Sequence, residues 1–266
     1  METETIVSKR ENLPAGIAGK NNGVKKKDDV SEEMPSSPSG QISFSAELMR
    51  KGIHLASLSI PIFYYYVSRD TALAVLLPVV VFSVAIDFGR HYIPALERRV
   101  EAIFNRILRP HERKAGLLSG ASYVLISALI CVVVFPKTIT VTAFSILIVS
   151  DSSSAIFGRA FGKHKFLDKS REGTLAFILS AWAVVLISPK AGSHLGHTPL
   201  AIEYFIGAFA AVVGGIAEAG SVTLHLDDNF SVPISIGLTM WGLYWLLSVL
   251  DPGSYGAIYQ TLLHSS

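Results

Sequence analysis

From residue 53 onward the chain alternates apolar runs with short polar stretches. Runs at 53–67, 71–89, 117–135, 138–158, 174–189, 200–219 and 232–250 predict helices. Several approach the roughly 20 residues that an α-helix needs to cross a bilayer. The first is short and contains Pro61, so a kink or a backward extension through Arg50 is expected. Between the second and third runs, residues 94–108 (PALERRVEAIFNRIL) follow a helical period. Leu96, Val100, Ile103, Phe104 and Ile107 share one face, and Arg98, Arg99 and Arg106 lie mostly off it. That pattern predicts an amphipathic helix lying in the membrane interface. The expected architecture is an all-α polytopic membrane protein with about seven transmembrane helices plus one interfacial helix. Its expected parts are a disordered tail (1–44), a transmembrane domain (45–252) and a short C-terminal tail (253–266).

The tail is polar throughout, with Lys25, Lys26 and Lys27 and a Ser/Pro/Gly stretch at 34–40, and cannot bury enough apolar surface to fold. It has no apolar segment of the secretory kind. Glu2, Glu4, Glu11, Asp28, Asp29, Glu32 and Glu33 argue against an organellar transit peptide.

Composition agrees with a membrane protein: half of the residues are hydrophobic and the mean hydropathy is +0.44. The net charge of +2 says less than where the charges sit. Eight Lys and Arg precede the first run, seven lie between the second and third, and five between the fourth and fifth, twenty of the 23 in all. Arg69, Lys137 and Lys190 occupy the alternate loops. Basic loops stay cytosolic, so a seven-helix chain with its N-terminus in the cytosol places all twenty on one side. A multi-pass integral membrane location follows, the plasma membrane in a bacterium. The lipid bilayer is the expected surrounding, and no nucleic-acid partner is expected. The single Cys131 excludes an internal disulfide, and no zinc-ligand spacing is present.

The densest candidate chemistry lies at 150–173, SDSSSAIFGRAFGKHKFLDKSREG. Asp151 falls near the end of an apolar run, and acids within membrane segments are expensive enough to suggest function. On a continuing helix Asp151, Ala155, Gly158 and Gly162 share a face with almost no side chain beyond the acid. Arg159, Lys163, Lys165, Lys169 and Arg171 follow. An acid for a metal or proton, glycines for close approach and cations for phosphate make a phosphoryl-transfer set. A helix-packing ridge with a positive-inside loop accounts for the same spacing equally well.

Three further clusters stand out. Arg50, Lys51 and His54 form R-K-x-x-H at a helix mouth, suited to phosphate or to anchoring by snorkelling. Asp87 and Arg90 read as a local ion pair. Residues 218–233 (EAGSVTLHLDDNFSVP) would, if helical, align Glu218, His225 and Asn229. Asp227 and Asp228 follow in the one expected cytosolic loop without Lys or Arg, as a magnesium site would require.

These motifs resemble the CTP-dependent lipid-alcohol kinases: phytol kinase, dolichol kinase and the yeast-type CTP-using diacylglycerol kinase. The resemblance rests on R-K-x-x-H at 50–54, SDSSSAIFGRAFGKHKF at 150–166, KSREG at 169–173, and Glu218 followed by DDNFSVP at 227–233. It implies that Arg50, Lys51, Asp151 and Gly158 are required for activity. Where the phytol-kinase branch usually has a second acid or alanines, Ser152, Ser153 and Ser154 stand here.

The expected activity is transfer of the γ-phosphate of CTP to a membrane lipid alcohol. Arg50, Lys51 and Asp151 form its catalytic set. His54, Gly158, Arg159, Gly162, Lys163, Lys169, Ser170 and Gly173 are expected around the nucleotide phosphates. Asp227, Asp228 and Asp151 are expected to hold Mg2+, with Glu218, Asn229 and Glu172 in support. Cytidylyl transfer to phosphatidate is the alternative, although that family's terminal signature is missing from this chain. A small transporter is a further alternative, disfavoured because no internal repeat is visible and the acids cluster at helix ends.

Overall fold

The computed structural model describes residues 44–104, 118–192, 201–223 and 226–264. The predicted disorder of the tail, the end of the interfacial helix, and His194, His197 and His225 lie outside the described residues.

Ten helices and one small hairpin succeed one another among the described residues: α1 Phe44–Ala56, α2 Ser59–Tyr66, α3 Arg69–Tyr92, α4 Pro94–Phe104, α5 Gly120–Val134 and α6 Lys137–Phe161. Strands β1 Lys165–Phe166 and β2 Lys169–Ser170 then precede α7 Arg171–Ile187, α8 Ala201–Ala219, α9 Asp228–Leu250 and α10 Pro252–His264. The strands pair antiparallel, Lys165 opposite Ser170 and Phe166 opposite Lys169.

Four of the described helices, α3, α6, α8 and α9, are long and apolar enough to cross a membrane, and α5 is a shorter apolar helix. The architecture is that of an all-α integral membrane protein, with four such spans where seven were expected. The first expected span, 53–67, is two helices. Between them Ser57 N–H bonds to His54 O and Leu58 N–H to Leu55 O, a tightening to three-residue spacing. Pro61 explains the break: it has no N–H to donate, and its ring crowds the carbonyl four residues back. The 8-residue α2 is about 12 Å long, far short of a bilayer. The 17-residue α7 extends about 25 Å, below the roughly 30 Å of hydrocarbon. The segment expected as a C-terminal tail is helical as α10, and Ile258 and Leu262 are buried in the core.

The expected amphipathic helix is present over its described part, α4. Leu96 and Val100 are half-buried while Glu97, Arg98 and Arg99 are exposed, and Leu96 packs over Gly89 of α3.

Helix α6 is the centre of the bundle and packs against α1, α2, α5, α7, α8 and α9. It buries Ile139, Phe144, Ile146, Leu147 and Ile148 together with the polar Ser150, Asp151, Ser152 and Ser154. Around it, glycines let helices approach closely, as small residues do in membrane bundles. A Cβ at Gly207 would lie 2.6 Å from Val185, one at Gly214 2.6 Å from Ile236, and one at Gly237 2.5 Å from the Phe135 ring. At the bundle end remote from Asp151, Glu203 is buried and accepts from Tyr244 Oη (2.9 Å) and Gly192 N–H (3.2 Å), joining α8, α9 and the segment after α7.

Gly237→Ala should therefore destabilise the protein by about 1–3 kcal/mol, because Phe135 is enclosed and overpacking displaces it. Gly242 has nothing within 4 Å of a built Cβ. Gly242→Ala should be neutral, or stabilising by up to about 1 kcal/mol through helix propensity. Thermal unfolding of the two variants in detergent checks the contrast.

Candidate functional site

Asp151 is not at a helix end. Helix α6 continues for ten residues beyond it, about 15 Å, and the carboxylate is buried within the bundle at 3% exposure. A charge in that position needs a partner. Helix α1 supplies one: Lys51 Nζ donates to Asp151 Oδ2. His54 Nε2 lies 3.3 Å from the same oxygen. The i, i+3 spacing of Lys51 and His54 puts both on one face of α1. Lys51 itself is buried.

One turn along α6, Ser154 Oγ donates to Glu218 Oε1 at 3.1 Å. Glu218 is fully buried near the C-terminal end of α8. Its Oε1 also pairs with Lys169 Nζ at 2.8 Å, and Lys169 Nζ is 3.4 Å from Asp228 Oδ2 at the start of α9. Lys169 is close enough to act electrostatically on Asp151, and Asp228 on His54. Three acids and the basic groups of Lys51, His54 and Lys169 thus form one network. Glu218 and Asn229 do not share a helix, because α8 ends at Ala219 and α9 begins at Asp228. They meet the site from opposite sides of that turn.

The hairpin that carries Lys169 is held by Asp168. Asp168 N–H donates to Ala219 O at 2.9 Å, and its carboxylate accepts from Thr223 N–H (2.7 Å) and Thr223 Oγ1 (2.9 Å). The turn requires Leu167 at φ 51°, a left-handed conformation costly for a side chain of that size. The Thr223 backbone N–H holds the Asp168 carboxyl below its ordinary value. For Lys169, burial pushes the ammonium down, but Asp228, Glu218 and Asp151 together raise it above its ordinary value. Across the base of the hairpin, Glu172 accepts from His164 Nδ1 (2.8 Å) and from the backbone N–H groups of Lys163 and His164. The His164 contact leads these in bringing the Glu172 carboxyl down to about 2.

The glycines serve the crossing of α6 and α7. A Cβ on Gly158 would lie 3.1 Å from Ser170 Oγ and 3.3 Å from Gly173 Cα, and one on Gly173 3.1 Å from Ser154 O. One on Gly162 would collide with Gly158 O and Ser170 Oγ. The room that the sequence reserves for a nucleotide is taken by Ser170 and by the neighbouring helix. Ser170 is the N-cap of α7, accepting from Gly173 N–H at 3.1 Å. Asp227 caps α9, its Oδ1 accepting from Asn229 N–H (3.0 Å) and Asn229 Nδ2 (2.8 Å). The two adjacent acids therefore diverge in role. Arg159 and Lys163 are exposed at the end of the bundle. Asp87, besides Arg90 Nε at 3.7 Å, accepts from Ser119 N–H (2.7 Å) and Ser119 Oγ (2.8 Å), which fixes the start of α5.

Among the described residues no three acidic, histidine or cysteine side chains converge as a ready-made metal cage. Magnesium commonly takes only one or two carboxylates and completes its shell with water and phosphate oxygens. Glu218 Oε2 is buried and makes no hydrogen bond, and Asp228 lies across Lys169 from it. These two hard oxygen donors fit that ion.

The chain is similar to plant phytol kinases. It is 29% identical over 151 residues to a probable chloroplastic phytol kinase of Triticum aestivum, covering 54% of this chain and 50% of that one. It is 28% identical over 197 residues to an uncharacterised protein of Rickettsia prowazekii, covering 74% of this chain and 94% of the relative. It is equally identical over 195 residues to one of Methanocaldococcus jannaschii, covering 71% and 90%. The match thus spans about half the length of the wheat protein. No family model matches, and no solved structure does. The partial matches support a phytol-kinase-like family.

Of the residues singled out in the sequence, Lys51, His54, Asp151, Lys169, Glu218 and Asp228 come together, with Arg50 and Asn229 beside them on the wall of one cavity. Ser154 and Asp168 were missed. A serine among serines carries no signal of its own, whereas Asp168, a turn former between basic residues, carried a weak one.

Two outcomes follow. Asp151→Asn leaves Lys51 buried and unpaired and should cost about 3 kcal/mol. Combining it with Lys51→Met should cost clearly less than the two single changes added, in a double-mutant cycle of unfolding in detergent. Glu172, lowered in the folded state, supports the hairpin above its unfolded value near 4.5 and loses that contribution as pH falls towards about 2. Protection of the Lys163 and His164 amides, measured against intrinsic exchange at each pH, should fall across that window in the wild type. In Glu172→Gln it should be lower already at neutral pH and show no such transition.

Proposed function

We propose that this protein is a membrane kinase that transfers the γ-phosphate of CTP to the hydroxyl of a lipid alcohol, releasing a lipid monophosphate and CDP. The observation that carries this reading is the buried network of Lys51, His54, Asp151, Lys169, Glu218 and Asp228, built into apolar helices. So much charge in a membrane bundle is expensive unless it is used. Similarity to proteins described as probable phytol kinases supports a lipid acceptor.

Phosphoryl transfer depends on positioning and on neutralising charge more than on covalent help from the protein. Lys169, Lys51 and the neighbouring Arg50 would meet phosphate oxygens. The alcohol oxygen forms the new bond to the γ-phosphorus, and the bond from that phosphorus to the β-phosphate oxygen breaks. The hydroxyl proton passes to the Asp151 carboxylate, which Lys51 and His54 orient. Magnesium, when bound, would neutralise charge between the phosphates, and Glu218 and Asp228 are the side chains that would hold it. Ser154 fixes one Glu218 oxygen, and Asp168 fixes the hairpin that presents Lys169.

The test uses purified protein in lipid with CTP labelled at the α- or the γ-phosphate, or γ-labelled ATP, offered phytol, farnesol, a long polyprenol, diacylglycerol and phosphatidate. Label is expected on an alcohol, dependent on magnesium and stronger from CTP. Asp151→Asn should lower kcat at least about 100-fold in its folded fraction. Label reaching lipid from the α- but not the γ-phosphate would mean cytidylyl transfer and overturn the reading.

A further inference from the structure

Beside the charge network lies a cavity of about 380 Å³. Its wall is mainly apolar, formed by Ile53 of α1, Ile60 of α2, Ile86 of α3, Val100 of α4, and Val124 and Leu125 of α5. Arg50, His54 and Asn229 supply polar groups to the same wall. His54 belongs to both places: it lines the cavity and stands 3.3 Å from Asp151 Oδ2. Its Nε2 is buried and makes no hydrogen bond. The acid of the wall, Asp87, is engaged by Ser119 N–H and Ser119 Oγ and lies 3.7 Å from Arg90 Nε on the same wall. An apolar chamber with a buried histidine nitrogen that makes no hydrogen bond and lies beside a carboxylate suits a molecule with a hydrocarbon body and a single hydroxyl.

Volume narrows the choice. A dry cavity of about 150 Å³ holds a six-carbon ring, or about 25 Å³ per carbon, so the enclosed part of this open-mouthed chamber holds about fifteen carbons. That is one chain. A diacylglycerol brings two and needs at least about twice the space.

We propose that this cavity is the acceptor pocket for a single-chain lipid alcohol of about fifteen carbons, with its hydroxyl at His54, on the side next to Asp151. The inference rests on the kinase reading for what happens to that hydroxyl, but not for where the chain binds. Burial of the chain against Ile86 and Val124 provides the affinity. The His54 contact sets the oxygen beside the carboxylate that takes its proton.

The probe is a fifteen-carbon primary alcohol with a terminal diazirine, added to the full chain in nanodiscs, irradiated and mapped by peptide. Crosslinks are expected on α3 and α5 around Ile86 and Val124, displaced by excess farnesol and not by diacylglycerol. Ile86→Trp, which fills the chamber, should cut labelling at least fivefold. Phe82→Trp, on the exposed side of the same helix, should leave it unchanged. Ile86→Ala, which enlarges the chamber, should shift the preferred competitor to longer chains. Crosslinks elsewhere, or labelling and chain-length preference indifferent to both Ile86 changes, would overturn the pocket. Labelling as expected without phosphate transfer to any alcohol would uphold the pocket and sink the kinase reading. Transfer with crosslinks outside α3 and α5 would do the reverse.

Discussion

The Lys51–Asp151 ion pair is the constraint on which the rest of the arrangement depends. A carboxylate in the middle of a packed apolar helix costs several kcal/mol unless an opposite charge and hydrogen bonds meet it. That requirement brings α1, which is otherwise short and half exposed, against the central α6. Once α1 is there, its next turn delivers His54 to the same carboxylate and to the wall of the apolar cavity. The position of the pair thus decides where polar chemistry and hydrocarbon meet.

The second half of the network follows from the way α6 and α7 cross. Gly158 and Gly173 approach almost backbone to backbone, and Ser170 caps α7 in the space between them. The close crossing holds the hairpin above the turn between α8 and α9, where Asp168 fastens it to Ala219 and Thr223. Lys169 then falls between Glu218 and Asp228. A glycine motif that reads as a phosphate cradle works here as a joint, and its effect on the site is indirect: it decides where the lysine stands.

In the proposed reaction the balance of this network matters more than any single member. Phosphates arriving at Lys169 and Lys51 would release carboxylate oxygens, and those oxygens are then free for a magnesium ion and a hydroxyl proton. The same exchange of partners explains why the acids and bases are buried together: Lys51 and Lys169 already hold the carboxylates that the reaction would use.

Much of the scaffold was legible in the sequence. The apolar runs located α3, α5, α6, α7, α8 and α9 to within a few residues, because helical periodicity and hydropathy are local properties. R-K-x-x-H, Asp151, Glu218 and the acidic pair were visible as unusual residues among apolar ones. Their partnerships were not. Lys51 and Asp151 are 100 residues apart, Ser154 and Glu218 64, Lys169 and Asp228 59. No spacing rule reaches that far, so only the packing of helices decided which acid meets which cation. Likewise the sequence by itself determined that Gly158, Gly162 and Gly173 leave room, and that Asp227 and Asp228 are adjacent. Tertiary structure alone decided that another helix fills that room and that one acid caps α9 while the other turns to Lys169, because space and charge are claimed by whatever the fold brings nearest.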